Sequence, residues 1–155
     1  MRLVPILFVF LVSNVALAKS SEWVYKGYGE YKEPSGFSMK YSSSTSKAIG
    51  DDHVLIVKNV IADGHAMTVS AKLKMKESGL IDVLDLEENP IGSGYYFIEH
   101  GKKIIHYNYI HAGYFVEKTL VGDLDGYKEI GSVSKDAGII KGYWIEKGKR
   151  VFPFE

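Results

Sequence analysis

His100, His106 and His111 fall within one stretch, GYYFIEHGKKIIHYNYIHAGYFVEKTL (residues 94–120), that also carries seven aromatic rings and the carboxylates of Glu99 and Glu117. Two chemistries come into question. Imidazole is the commonest neutral ligand for zinc, copper or nickel. An imidazole held by a carboxylate can act as a general base near neutral pH. Which of them is open depends on the elements that carry these side chains.

The stretch reads as three strands joined by tight turns, with Gly101-Lys102 as the first turn and Ala112-Gly113 as the second. With glycine first, as in a type II′ turn, His100 is expected opposite Lys103, Ile98 opposite Ile105 and Tyr96 opposite Tyr107. The second turn sets His111 against Tyr114, Tyr109 against Val116 and Tyr107 against Lys118. One face then holds Tyr96, Ile98, Ile105, Tyr107, Tyr109, Val116 and Leu120, with His100 and His111 at its opposite ends. It is the more apolar face and the expected interior. The other holds Glu99, His106, Asn108 and Glu117.

That pattern argues against a three-histidine metal site. His106 and His111 are an odd number of residues apart and point to opposite faces. His100 and His111 share a face, but the strand from Lys103 to His111 spans about 27 Å at roughly 3.3 Å per residue. No metal or cofactor is expected. His106 with Glu99 and Glu117 is the better chemical candidate, as the acid–base centre of an isomerase or hydrolase, provided that face lines a cavity. On an outer wall the same residues would be scattered polar groups in water. The tyrosine face is either a plain core or the lining of a cavity. A dry core is more simply built from Leu, Ile and Val, because each buried tyrosine hydroxyl needs a partner.

The rest of the chain repeats the same grammar. Short runs rich in Val, Ile, Tyr and Phe are broken by Gly, Asp or Asn turns. In MTVSAKLKMK (67–76), Met67, Val69, Ala71, Leu73 and Met75 alternate with Thr68, Ser70, Lys72, Lys74 and Lys76, the mark of a strand with one buried face. HVLIVKNVIA (53–62) runs into the hairpin dipeptide Asp63-Gly64. SSSTS (42–46) reads as a polar loop, and LIDVLDLEEN (80–89) as the best candidate for the only helical turn, with another strand as the alternative. DLDG (123–126) lacks the remaining ligands of a calcium loop and is a turn. Eight to ten strands in an antiparallel meander are expected, closed into a barrel so that no edge is left open.

Met1-Arg2, the apolar run Leu3–Val15 and the small residues of Ala16-Leu17-Ala18 follow the plan of a secretory signal peptide cut after Ala18. The apolar run falls short of the ~20 residues a membrane span needs. Two parts are therefore expected: a leader, 1–18, and one domain, 19–155, that is periplasmic or secreted. Of 19 basic and 19 acidic side chains only Arg2 lies in the leader, which leaves the mature part near −1. Such a balance does not suit a nucleic-acid partner. The absence of cysteine removes thiol catalysis, zinc–thiolate sites and disulfides, and with export it points to a bacterial periplasm.

WVYKGYGEY near the mature start, with Trp23 ahead of Gly27 and Gly29, and the run of hairpins as far as GYWIEKGK resemble the calycin group, the lipocalins and fatty-acid-binding proteins. Trp23 precedes its glycines instead of following one as in lipocalins. The resemblance is one of architecture, and no site residue is carried over with it. It implies an up-and-down barrel with a cavity for a small apolar or amphipathic ligand. Three functions follow: a non-catalytic exported ligand-binding barrel lined by Tyr96, Tyr107, Tyr109 and Trp144; an acid–base enzyme at His106; or a structural module with a filled core, for which a homodimer is compatible.

Overall fold

The computed structural model describes residues 21–50, 52–135 and 138–152. The leader expected at 1–18 lies outside these residues, as do Asp136 and Ala137, which with Gly138 read from the sequence as a tight turn. Ten strands follow one another: β1 (Ser21–Lys32), β2 (Ser38–Ile49), β3 (His53–Ala62), β4 (His65–Met75), β5 (Leu80–Leu84), β6 (Pro90–Glu99), β7 (Lys102–His111), β8 (Tyr114–Gly122), β9 (Gly126–Lys135) and β10 (Ile139–Phe152). Each pairs antiparallel with its chain neighbours, and β1 pairs with β10, so the sheet closes on itself. The barrel is all-β, as the alternating runs predict. Among the described residues no helix is long and apolar enough to cross a membrane.

Three local expectations are corrected. LIDVLDLEEN is not helical. Ile81 and Val83 point inward and are fully buried in β5, while the acidic residues after Leu84 form a turn. There Asp85 accepts the Asn89 backbone N–H at 2.8 Å. SSSTS is not a loop but the middle of β2. Serine usually seeks water, but here Ser43 and Thr45 face inward and find buried polar partners. Finally, the β6–β7 turn is His100-Gly101, not Gly101-Lys102. Both residues adopt left-handed φ, 50° and 76°, which makes a type I′ turn. The pairing slides by two residues, so Tyr96 faces Ile105 and Tyr107 faces Gly94. A two-residue slide keeps every side chain on its expected face. The β7–β8 register is as expected, with Tyr107 opposite Lys118 and His111 opposite Tyr114.

Because the strands alternate in direction, the connections after β1, β3, β5, β7 and β9 gather at one end. The even-numbered connections and both ends of the barrel chain gather at the other. This second end is packed shut. Leu73, Ile81 and Val83 fill it with Ala71, Leu120 and the rings of Tyr25, Tyr107 and Tyr127. Each fully buried aliphatic side chain there stabilises the fold by roughly 1.5–3 kcal/mol.

Candidate ligand site inside the barrel

Halfway up the barrel the interior changes from apolar to charged. Lys58 of β3, Lys118 of β8, Glu129 of β9 and Glu146 of β10 all point inward and are buried. Each sits at an inward position of an otherwise ordinary strand. Charges so placed are tolerated only when paired and hydrogen-bonded, and here they are. Lys58 Nζ donates to Glu129 Oε1 at 2.9 Å and stands 2.6 Å from Glu146 Oε2, off the direction of a good hydrogen bond. Glu146 Oε1 accepts from Ser43 Oγ at 2.7 Å and from the Tyr127 hydroxyl at 2.5 Å. Trp144 Nε1 donates to Glu129 Oε1 at 2.8 Å.

The backbone makes room for this cluster with missing side chains. A Cβ on Gly27 would stand 2.5 Å from Ser43 Oγ and 2.6 Å from Glu146 Oε1. A Cβ on Gly131 would strike the Trp144 ring at 2.1 Å. Gly27 therefore gives the Glu146 carboxylate its space, and Gly131 lets Trp144 lie across the sheet and reach Glu129.

The electrostatics follow from the pairing. Burial alone would raise the Glu129 carboxyl, but Lys118 and Lys58, with the hydrogen bonds from Lys58 and Trp144, outweigh it and hold the pKa down at about 2. Burial likewise works against a charged Lys118, yet Glu129 beside it raises its pKa above the ordinary lysine value. Tyr127 and Tyr41 are pushed up, first by burial and then by the negative Glu146. Lys47, lower in the barrel, is drawn down to about 8 by burial, with Lys58 and Lys103 repelling it and Glu129 opposing the shift.

Above the charged layer the barrel is hollow. A cavity of about 340 Å³ opens toward the end opposite the chain termini. Its floor is Lys58, Lys118 and Glu129. Its walls are aliphatic, from Val60, Val69, Val116, Val133, Met39 and Met67, and aromatic, from Tyr31, Tyr41, Tyr109, Tyr114 and Trp144, with His111 among them. The volume lies at the lower end of the roughly 300–1,000 Å³ typical of small-molecule pockets, and the plan of apolar walls with a few convergent polar groups is the same. A separate enclosed space of about 20 Å³ lies against Tyr107 and Thr45, enough for about one water. The interior is thus a filled core in one half and a cavity in the other.

Of the tyrosine set read from the sequence, Tyr109 and Trp144 reach the cavity. Tyr107 is sealed below it, stacked 6.1 Å from Tyr109. Tyr96 lies at the closed end, where its hydroxyl donates to the Lys76 carbonyl at 3.1 Å. The histidines stay apart, as their spacing implies. His111 lines the cavity, His100 is in a turn, and His106 is on the outer wall. Among the described residues no three His, Asp or Glu side chains come together as a metal-ligand set. His106 Nδ1 is 2.9 Å from Thr119 Oγ1 and Nε2 is 3.3 Å from Glu117 Oε1. Asn108 stands opposite Glu117 as expected, but the shifted turn sets Glu99 against Lys102 and away from His106.

The charged layer itself escapes a reading of apolar faces, because that reading sets charged residues aside. The signal is present in the alternation: Ile56, Lys58 and Val60; Val116, Lys118 and Leu120; Tyr127, Glu129 and Gly131; Trp144 and Glu146.

No family model matches the chain, and no curated protein matches its sequence. Solved structures do match its shape. The S-type phycobiliprotein lyase CPES from Guillardia theta superposes with a TM-score of 0.60 over 84% of this chain and 88% of its own, at 8% identity. Rv2717c from M. tuberculosis superposes with a TM-score of 0.57 over 83% and 91%, at 12% identity. At such identities the likeness is one of fold alone, that of a closed antiparallel barrel, which in this chain has ten strands.

Proposed function

We propose that the protein is an exported barrel that holds a small apolar or amphipathic molecule in its open half and performs no chemistry on it. The cavity of about 340 Å³, apolar-walled above a charged floor, carries this reading. A module with a filled core would close that half with side chains, as the other half is closed. Tyr109 and Trp144 are the two residues of the tyrosine–tryptophan set that would touch the ligand. A second reading retains His106 with Glu117, which stand at ion-pair distance. That pair sits on the outer wall and lines neither of the interior spaces described above.

Val116→Trp tests the cavity. The indole would grow from a lining position into open space, so its cost in stability should stay within about 1–3 kcal/mol. A neutral apolar fluorophore such as phenylnaphthylamine is expected to bind the wild type and to bind the variant at least about tenfold more weakly. Equal binding by both would remove the cavity from the account.

Export rests on the leader sequence. Protein recovered from its native cell envelope is expected to begin at Lys19, which intact-mass measurement reads directly. A mass retaining residues 1–18 would make the leader an anchor.

A further inference from the structure

The outer wall of the barrel treats its lysines in two ways. In several places each has an acid beside it: Lys32 is 3.1 Å from Glu30, Lys76 is 2.8 Å from Asp82, Lys74 is 3.8 Å from Asp52, and Lys72 pairs with Glu88. On β9, β10 and β1 lysines are set against one another instead. Lys26 of β1 stands directly opposite Lys149 of β10, and Lys147 of β10 directly opposite Lys128 of β9. Lys147 and Lys149 share one face of β10, so the four form a stair across three strands. Its steps are roughly 5 Å between strands and about 6.6 Å along β10.

All four are exposed, and the ion pairs of the described residues engage none of them. Like charges directly opposite one another destabilise a sheet. The whole chain has 19 basic and 19 acidic side chains, so the stair is not the overflow of a basic protein. Apolar groups adjoin it. Tyr28, opposite Lys147, is 73% exposed. One step nearer the mouth, Ile130 of β9 stands opposite Ile145 of β10, each 47% exposed, and Tyr143 follows on β10. A dissolved polyanion would engage the lysines and leave this second band in water. A lipid headgroup layer engages both, because its phosphates attract lysine while its boundary with the acyl chains takes up tyrosine and aliphatic side chains.

We propose that the outer wall of β9, β10 and β1 docks on an anionic bilayer surface. Lys26, Lys128, Lys147 and Lys149 meet the lipid phosphates, and Tyr28, Ile130 and Ile145 settle among the headgroups. Each lysine near such a surface adds about fivefold to affinity. The proposal stands apart from the cavity and its occupant.

Co-sedimentation with vesicles tests it. The purified wild type is expected to partition onto vesicles of phosphatidylglycerol mixed with phosphatidylcholine at least about tenfold more strongly than onto phosphatidylcholine alone, and to come off as salt is raised. Lys147→Gln combined with Lys149→Gln should weaken binding to the anionic vesicles by about 25-fold. Lys72→Gln combined with Lys74→Gln removes the same charge from β4 and should leave binding within about twofold. Relief of repulsion should keep the Lys147–Lys149 variant at least as stable as the wild type, so its lost binding is not lost folding. Equal partition onto both vesicles, or none onto either, would overturn the proposal, as would equal losses in the two double variants. Capture by soluble polyphosphate without binding to vesicles would assign the stair to a dissolved polyanion and overturn the lipid surface. Each of these outcomes leaves the ligand-binding reading untouched.

Discussion

Lys58→Met should destabilise the barrel by about 3–5 kcal/mol at neutral pH, the usual cost of removing one partner from a buried ion pair. Lys58 is the link between the two acids, 2.9 Å from Glu129 Oε1 and 2.6 Å from Glu146 Oε2. Without it two buried carboxylates share one cation, Lys118, whose nearest approach to Glu129 is 3.9 Å. Methionine matches the stem of lysine in size, so the loss is electrostatic rather than a packing defect. Denaturant unfolding measures it, with Lys74→Met as the control. Lys74 lies on the wet face of β4, half exposed and 3.8 Å from Asp52, and its replacement should change stability by no more than about 0.5 kcal/mol. A further signature separates the electrostatic account from simple loss of packing. The defect in Lys58→Met should shrink as pH falls toward 5, because one of the two abandoned carboxyls can then take up a proton.

The second large effect is acid lability centred on Glu129. Its folded pKa of about 2 lies below the ordinary glutamate value of 4.5. The unfolded chain therefore binds the proton more readily throughout that window, and stability must fall with pH there. The contribution is fully present above about pH 4.5 and is lost progressively down to about pH 2. It amounts to roughly 3 kcal/mol for a shift of this size. Glu129→Gln should unfold more easily than the wild type at neutral pH, and the two unfolding free energies should converge near pH 2. Parallel curves for the two proteins across this range would show that Glu129 is not held ionised by its lysines. Lys47 gives a slope of the same sign at the alkaline end, where the cost of burying its charge is relieved as pH rises. Its folded pKa of about 8 lies below its ordinary 10.5, so its contribution rises with pH between those values.

Much of this barrel can be read from alternation alone. Met67 to Met75 announces β4, and the Ala112-Gly113 hairpin assigns Tyr107 and Tyr109 to the inside. The sequence is less explicit where one residue type serves two masters. His100-Gly101 and Gly101-Lys102 are both credible two-residue turns, and the choice between them depends on whether His100 accepts a left-handed φ of 50°. Ser43 and Thr45 look like loop residues until Glu146, 103 residues from Ser43, is brought beside them. The same separation hides the charged layer. Lys58 and Glu129 are 71 residues apart, and nothing local to either predicts the other. Inward parity marks each as anomalous, and only closure of the barrel shows that the anomalies answer one another. The hollow above them is likewise a property of closure: β1, β2, β8 and β10 each contribute an aromatic residue to a wall that no single segment displays.

Native mass spectrometry of the protein, purified gently from its own cell envelope beside Val116→Trp made in the same host, tests the central claim most directly. The account predicts a one-to-one small-molecule adduct on the wild type, released on denaturation and missing from the variant. Bare protein in both preparations, together with no displaceable fluorophore binding by the wild type, would contradict it and leave the cavity without an occupant.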